Sequence, residues 1–319
     1  MRDTWRRYVS VADYVGLSLV LAGLIAFFGL TTDHFFTITT LRTIANQIPD
    51  AIIIAVGMTF VLIIAGIDLS IGSVLAFSGG VLGVALVRWG WPLGAAAALC
   101  VGAGAACGAL NGFLVIRWRL PAFIVTLGML EAARGGAYLV TGSQTQYIGA
   151  SIERVANWGM GGLSLPFMTA IAVVIAGQVL LSGTAFGRRM YAIGANEETA
   201  RLSGINIARI KWSVFVLSGA LAALSAIIHC ARLTAADPNA GIGYELQAIA
   251  AVVIGGTSLM GGRGSVINTF IGVVIIAVLE NGLVQVGAQE PIKRLVTGAV
   301  IVAAVIADYY RRRLEARNA

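Results

Sequence analysis

The stretch GRRMYAIGANEETARLSGINIARIK, residues 187–211, is the only long and densely charged run between two apolar segments of the chain. Asn196 can cap a short helix whose first turn carries Glu197 and Glu198, where the positive end of the helix dipole favours acidic side chains. Gly204 can end this helix in a left-handed turn. We therefore predict two turns of surface helix within a loop.

The charge of this loop predicts the side of a membrane on which it lies. Its five basic residues are Arg188, Arg189, Arg201, Arg209 and Lys211. Loops rich in Lys and Arg remain on the cytoplasmic side, and we place residues 187–211 there. A capped helix on that surface can dock a soluble partner, but the same features also fit a solvated loop that only sets topology.

The composition indicates an all-α protein that crosses a membrane many times. Hydrophobic residues make up 58% of the 319 positions and charged residues 12%, and the mean hydropathy is +0.87. These values leave too little polar surface for a water-soluble globule. The net charge of +7 does not indicate a nucleic-acid partner, because the basic residues lie between the apolar runs, where topology needs them.

We predict about ten transmembrane helices in one domain, residues 1–319. Their approximate ranges are 14–30, 44–65, 74–87, 93–116, 121–140, 166–181, 212–230, 244–254, 266–286 and 295–309. The first is an uncleaved helix, and residues 141–163 form an outer loop with a short surface helix. Fifteen of the 22 Lys and Arg residues lie in inner segments and six in outer ones, so both termini are placed in the cytoplasm.

Several polar residues lie in or beside these apolar segments. Asp68 or Ser70 can cap the following helix, but an acid so close to hydrocarbon is costly unless it is paired or hydrated, so a polar path is the second interpretation. Asp50 has the same two interpretations. Asn111 more often hydrogen-bonds a neighbouring helix than a solute. Gly104, Gly108 and Gly112 recur every four residues and predict close helix packing.

The remaining charged and metal-ligating residues give no catalytic constellation. Glu131 and Arg134 stand three residues apart on one helical face and predict a structural ion pair. His34 and His229 lack partners at ligand spacing, so we predict a loop residue and an interfacial residue rather than metal ligands. Cys100, Cys107 and Cys230 lie in apolar runs and are most simply small buried residues.

A glycine-rich run, GGTSLMGGRGS at residues 255–265, could cradle a phosphate. It lacks the lysine that follows the glycines of a nucleotide-binding loop, since the chain's only lysines are Lys211 and Lys293. A nucleotide site in this chain is therefore not expected. An intramembrane enzyme is also disfavoured, because no paired His, Ser/Lys or carboxylate constellation occurs at useful spacing.

A faint internal repeat links the two halves of the chain. NGFLV at residues 111–115, followed by Pro121, resembles NGLV at residues 281–284, followed by Pro291. The predicted topology places the first copy inside and the second outside, which is the arrangement of an inverted repeat in transporters. Chance similarity between glycine-rich apolar segments explains the pattern equally well.

Four stretches together resemble the ribose-type permease subunits of bacterial ATP-binding-cassette (ABC) sugar importers. They are GIDLSIGS at residues 66–73, AIGANEETARLSGIN at 192–206, GYELQAIAA at 243–251 and GGTSLMGGRGS at 255–265. They occur in the family's order and span most of the chain. The resemblance implies the ten-helix fold of type II importers and a multi-pass protein of the bacterial inner membrane.

The resemblance also implies the partners and the coupling site. The partners are a cytoplasmic ABC ATPase subunit, an extracytoplasmic sugar-binding protein that is periplasmic where a periplasm exists, and a second permease, either a copy or a paralogue. ATP and magnesium would bind in the ATPase, and this chain would hold no cofactor or metal. The residues of the implied coupling helix and its C-terminal turn are Asn196, Glu197, Glu198, Thr199, Ala200, Arg201, Leu202, Ser203 and Gly204.

The solute implied by the resemblance is a monosaccharide similar to ribose or xylose. Neutral sugars need groups that hydrogen-bond hydroxyls but no strong charge. The candidates for the translocation path are Asp68, Ser70, Asn111, Glu245, Thr257, Ser258 and Asn281. The chain departs from the family's expected residues at Gln247 and Asn268, which weakens any transfer of the solute's identity. Glu280 adds a charge beside Asn281 that could either tune the path or pair across the dimer.

Two alternatives remain open. A secondary transporter driven by an ion gradient would use Asp50, Asp68, Glu131 or Glu280 as proton or sodium sites. An ABC permease for another small solute, such as an amino acid or a nucleoside, is the nearest alternative within the same class. Copurification of an ATPase subunit would distinguish the first alternative from an ABC importer.

Replacing both Glu197 and Glu198 with Lys tests the role of the charged loop. We expect this double variant to uncouple ATPase stimulation from solute delivery, because it reverses the charge of the helix that would contact the ATPase. The measurement is solute uptake and ATP hydrolysis in reconstituted vesicles. Unchanged transport would remove the loop from the mechanism.

Overall fold

The computed structural model describes residues 11–32, 35–160 and 163–317, and these residues form fourteen α-helices and four short strands. The helices are α1 (Val11–Thr31), α2 (Ile38–Gln47), α3 (Pro49–Ile63), α4 (Ile71–Val87), α5 (Leu93–Trp118), α6 (Ala122–Thr141), α7 (Ala150–Asn157), α8 (Leu165–Gly183), α9 (Ala185–Ala195), α10 (Glu197–Leu202), α11 (Ile207–Leu233), α12 (Tyr244–Ile254), α13 (Val266–Gln285) and α14 (Glu290–Arg317). The strands are β1 (Gln146–Tyr147), β2 (Gly159–Met160), β3 (Leu163–Ser164) and β4 (Ala235–Ala236).

Each of the ten predicted segments is helical, which confirms the all-α fold class. The predicted orientation of residues 1–10 and the loop position of His34 lie outside the described residues. Five helices of the described chain, α5, α6, α8, α11 and α13, are long and apolar enough to cross a bilayer, and the bent pair α2 and α3 makes a sixth. The helix α12 has only 11 residues, roughly 16 Å, about half of a ~30 Å hydrocarbon core. The number ten therefore stays a prediction.

The second predicted span is two helices rather than one. The helices α2 and α3 are bent by 46° at Ile48, and Pro49 occupies the first position of α3. A proline has no backbone N–H to donate, and its ring clashes with the preceding turn, so a continuous helix bends or breaks there. The break brings Asp50 into the first turn of α3.

The charged loop has the predicted local structure. Asn196 caps α10 by accepting a hydrogen bond from the backbone N–H of Thr199 at 2.9 Å, and Glu197 and Glu198 occupy the first turn. Gly204 has a φ of +79° and follows the end of α10. These features confirm the predicted helix. The preceding helix α9 was not predicted, and the side chain of Thr184 caps it by accepting from the N–H of Gly187 at 3.2 Å.

The helices α5 and α11 make close backbone contact, as the glycine stripe predicted. A Cβ atom on Gly104 would clash with the backbone oxygen of Gly219, and one on Gly108 would clash with the backbone oxygen of Phe215. Small residues of this kind let two helices approach in lipid, where dispersion rather than the hydrophobic effect drives packing. The helix α3 packs against α11 and is buried around its whole circumference.

The predicted Glu131–Arg134 ion pair does not form. Arg134 Nη1 instead donates to the backbone oxygens of Pro238 at 2.6 Å and Ala240 at 2.8 Å. These carbonyls lie in the turn before α12, and they are acceptors that spacing along α6 could not reveal. Arg134 therefore ties α6 to the segment that leads into α12.

The loop that was predicted to lie on the outer side contains the predicted short helix, α7. The strands β1 and β4 pair antiparallel, with Gln146 opposite Ala236, and β2 pairs with β3. The inverted repeat between residues 111–115 and 281–284 stays a prediction.

We expect Gly108→Ala to lower the free energy of unfolding by about 1–3 kcal/mol, because the added methyl group overpacks the contact with Phe215. The matched control is Gly102→Ala on the same helix, where a Cβ atom meets open space and alanine favours the helix by up to about 1 kcal/mol. Thermal unfolding of the detergent-solubilised protein, followed by size-exclusion chromatography, measures both. Equal stability of the two variants would contradict the predicted contact.

Candidate functional site

A cavity of about 230 Å³ lies at the break between α2 and α3. Helices α2, α3, α11, α12 and α13 all contribute to its wall. Asp50 is roughly 20 Å along α3 from Ile63, and α2 continues the candidate span on the other side of the break. Broken helices with their termini at a solute site are a recurrent feature of transporters. The polar residues that line the cavity are Gln47, Asp50, Arg232, Tyr244, Gln247, Glu280 and Asn281.

Asp50 is the centre of a charged cluster in this cavity. Its Oδ2 atom accepts a hydrogen bond from Arg232 Nη2 at 2.8 Å and lies 2.8 Å from His229 Nδ1. The hydroxyl of Tyr244 lies 3.4 Å from the same oxygen. Because a carboxylate oxygen only accepts hydrogen bonds, the geometry assigns the proton of His229 to Nδ1. The carboxylate and the guanidinium neutralise each other inside the bundle.

His229 therefore has a different role from the one that the sequence predicted. The prediction treated it as an interfacial residue because no partner was near it in sequence, whereas its partner Asp50 lies 179 residues earlier. Its side chain is only 9% exposed and that of Asp50 only 2%. One rule could have indicated this pair from the sequence: an acid within an apolar segment needs a partner. The rule predicts a basic partner for Asp50 but does not identify the residue.

Amide and carboxylate groups also line the cavity. Gln247 Nε2 donates to Glu280 Oε1 at 3.3 Å, and Asn281 Nδ2 donates to Gln47 Oε1 at 3.3 Å. The sequence singled out Gln247 and Glu280 separately, as departures from the family, and the structure joins them in one hydrogen bond. These groups offer both donors and acceptors, which suits the hydroxyl groups of a neutral polar solute.

Three of the predicted path residues form a buried network outside the lining of this cavity. Asp68 Oδ1 accepts from the backbone N–H of Ser70 at 3.0 Å and from its hydroxyl at 2.6 Å. Asn111 Nδ2 donates to Ser70 Oγ at 3.0 Å, and Ser218 Oγ donates to Asp68 Oδ2 at 3.0 Å. The network joins the start of α4 to α5 and α11. Ser70 occupies the capping position of α4 but makes no side-chain cap.

The other predicted path residues are dispersed. Glu245 lies in the first turn of α12, and its Oε2 atom faces Gly72. Thr257 and Ser258 are buried in the turn after α12, where Ser258 Oγ accepts from the N–H of Met260 at 3.1 Å. Of the seven predicted residues, only Asn281 lines the cavity at the break.

The short helix α10 and its flanking residues are at the surface. Within residues 196–204 only Ala200 is buried, and Leu202 is 81% exposed. Glu197 pairs with Lys211 at 2.5 Å and Glu198 pairs with Arg201 at 2.6 Å. Ala200 anchors the helix, and an exposed apolar side chain remains available beside the charged ones.

This fold, with a polar cavity at a broken helix inside an apolar bundle, defines a multi-pass membrane transport protein. A family model described as "branched-chain amino acid transport system / permease component" matches residues 40–305. The chain belongs to this permease family. The predicted resemblance to ribose-type permease subunits is confirmed by the relatives that follow.

Three relatives are similar over nearly their whole length. The chain is 42% identical over 297 residues to the ribose import permease protein RbsC of Escherichia coli (strain K12), covering 91% of this chain and 92% of that protein. It is 36% identical over 299 residues to the D-allose transport system permease protein AlsC of the same strain, with coverages of 93% and 91%. It is 34% identical over 311 residues to the fructose import permease protein FrcC of Rhizobium meliloti, with coverages of 95% and 86%.

A solved structure has the same overall fold. It is that of a transporter assigned to the metal-chelate type of ABC transporters, in an inward-facing conformation. The TM-score is 0.53, with 94% of this chain and 98% of that chain covered, and the sequence identity is 15%. This likeness supports the ABC permease fold.

We expect Asp50→Ala to destabilise the protein by about 3 kcal/mol, because it leaves Arg232 and His229 without their acceptor inside the bundle. A matched control is Arg201→Gln, which removes an exposed pair and should change stability by less than about 1 kcal/mol. Thermal unfolding in detergent measures both variants. A double variant, Asp50→Ala with Arg232→Gln, should lose less stability than the sum of the losses of Asp50→Ala and Arg232→Gln. Additive losses would show that the two side chains do not act as a pair.

Proposed function

We propose that this chain is the transmembrane permease subunit of an ABC importer that carries a monosaccharide across the bacterial inner membrane. The observation that carries the proposal is the polar cavity at the break between α2 and α3, in a chain whose relatives are named ribose, D-allose and fructose permeases. Energy comes from ATP and magnesium bound by partner ATPase subunits, and this chain itself catalyses no bond change.

The cavity suits a small neutral solute for two reasons. Its volume of about 230 Å³ is below the range of about 300–1,000 Å³ that is typical of sites for drug-sized ligands. Its buried acid Asp50 is already paired with Arg232, so this carboxylate offers a charged solute no free counter-ion. Gln47, Gln247 and Asn281 supply amide donors and acceptors for sugar hydroxyls, and Glu280 supplies a carboxylate acceptor.

Among the residues predicted for the path, we propose that Asn281 contacts the solute. Asp68, Ser70 and Asn111 hold α4, α5 and α11 in register through their buried hydrogen bonds, and Ser218 completes that network. Glu245 lies at the junction of α12 with Gly72 of α4, where relative movement of these helices would change the path. Thr257 and Ser258 have a similar position in the turn after α12.

We propose that residues 187–211 form the cytoplasmic coupling loop and that α10 seats in the ATPase. The exposed Leu202 supplies the apolar contact, and the capped helix with its paired acids supplies a rigid surface. The anchoring of α10 through Ala200 transmits its displacement to the bundle. Both termini are then cytoplasmic, a second permease copy or paralogue completes the pathway, and an extracytoplasmic sugar-binding protein delivers the solute.

We expect Glu280→Gln to reduce uptake of labelled ribose about tenfold at low solute concentration, because a hydrogen bond to a charged group contributes about 1.5–3 kcal/mol. The matched control is Glu131→Gln, which removes a carboxylate from an exposed position of α6 away from the cavity. The measurement is uptake into vesicles that contain the permease, its ATPase and ATP, with the sugar-binding protein outside.

The same vesicles distinguish an ABC importer from a transporter driven by ions. Ionophores that collapse proton and sodium gradients should leave uptake unchanged, and omission of ATP should abolish it. Uptake that persists without ATP and stops with ionophores would refute the proposed function. Equal loss in the Glu280 and Glu131 variants would instead remove the cavity from the path while leaving the ABC mechanism in place.

A further inference from the structure

Two cavities lie side by side where α5 ends and α11 begins, next to α10. The first, here called the basic cavity, has a volume of about 550 Å³, and its charged lining residues are Arg119, Glu197, Arg201 and Lys211. The second, here called the apolar groove, has a volume of about 310 Å³ and is lined by Phe113, Ile116, Arg117, Ala208, Arg209 and Trp212. Ile116 and Ala208 line both, so the two cavities are contiguous.

The charge around these cavities is positive and only partly neutralised. Lys211, whose side chain is 20% exposed, pairs with Glu197, and Arg201 pairs with Glu198. Arg119 and Arg209 form no ion pair with any residue that the structure describes. Together with Arg117, five basic residues face two acidic ones, a surplus of three positive charges that attracts an anion.

Exposed aromatic side chains surround the apolar groove. Phe113 is 50% exposed and Trp212 is 44% exposed, although Trp212 Nε1 donates to the backbone oxygen of Ala109 at 3.2 Å. Trp118 packs edge-on against Phe113, with ring centroids 5.8 Å apart, and the Arg117 guanidinium lies 5.9 Å from the centroid of Trp118. Tryptophans with neighbouring cations are typical of the level of lipid headgroups.

We propose that these two cavities bind one anionic phospholipid. Its phosphate lies in the basic cavity, near Arg119 and Lys211, and an acyl chain lies in the apolar groove between Phe113 and Trp212. A soluble anion would use only the basic cavity, whereas a phospholipid matches both because its charge and its hydrocarbon are joined. Basic pockets between transmembrane helices on the cytoplasmic side are known to hold such headgroups.

The position of Lys211 connects this lipid to the charged helix. A phosphate at Lys211 shares that cation with Glu197 of α10, so binding of the lipid would alter the position of α10. The assignment to the cytoplasmic leaflet, and any effect on coupling to an ATPase, rest on the proposed function. The binding itself does not, because both cavities belong to this chain alone.

The experiment uses the full-length permease purified in detergent, with and without its ATPase. Native mass spectrometry measures bound phosphatidylglycerol, with phosphatidylcholine as the neutral lipid of equal chain length. We expect preferential retention of phosphatidylglycerol, and a loss of about 5-fold in affinity for each of Arg119→Gln and Lys211→Gln. Arg189→Gln is the matched control, since it removes one charge from an exposed position of α9 outside both cavities.

A conservative variant at the same position separates lost binding from misfolding. Arg119→Lys keeps the positive charge and should restore the retention of phosphatidylglycerol. Equal retention of the two lipids, or no difference between the Arg119 and Arg189 variants, would overturn the proposal. Competition by glycerol phosphate as strong as by the lipid would assign the basic cavity to a soluble anion instead. Loss of the lipid when the ATPase binds would assign this surface to that protein. Sugar uptake, measured separately, reports on the proposed function.

Discussion

A charge inside a lipid-embedded helix bundle is costly unless it is paired. Asp50 meets this requirement through its ion pair with Arg232, next to the break between α2 and α3. Pro49 removes a backbone donor and bends the span, and a bend leaves backbone groups that only protein or water can satisfy. The carboxylate of Asp50 lies next to this break, in the first turn of α3, where Arg232 and His229 contact it. The polar cavity exists because these groups converge between helices that are otherwise apolar.

Close backbone packing joins α5 to α11, which is one of the helices that line the cavity. Where Gly104 and Gly108 meet α11, the two backbones touch with no side chain between them. In lipid there is no hydrophobic effect to pull two apolar helices together, so contact area and fit decide which helices are neighbours. The buried network of Asp68, Ser70 and Asn111 adds directional hydrogen bonds to the same helices, and these bonds define one register.

Three regions with different physical chemistry follow from this arrangement. The cavity at the break pairs its buried acid Asp50 with Arg232 and is rich in amides, which suits the hydroxyl groups of a neutral solute. In α10, Leu202 is exposed and Ala200 is buried against the rest of the protein, and this combination suits transmission of force from a soluble partner. The cavities beside α10 carry a surplus of positive charge next to apolar surface, which suits a lipid. Lys211 and Glu197 connect the last two regions.

The sequence by itself determined the class of membrane protein, the helical segments, the capped helix at residues 196–204 and the glycine contact of α5, because these depend on composition and on spacing of a few residues. The break at Pro49 was also readable, although the prediction treated the segment as one span. Tertiary structure alone decided which charges meet: Arg134 bonds backbone carbonyls instead of Glu131, and Asp50 meets His229 across 179 residues. Such pairs depend on which helices become neighbours, and the strength of a charge interaction depends on distance in space rather than along the chain.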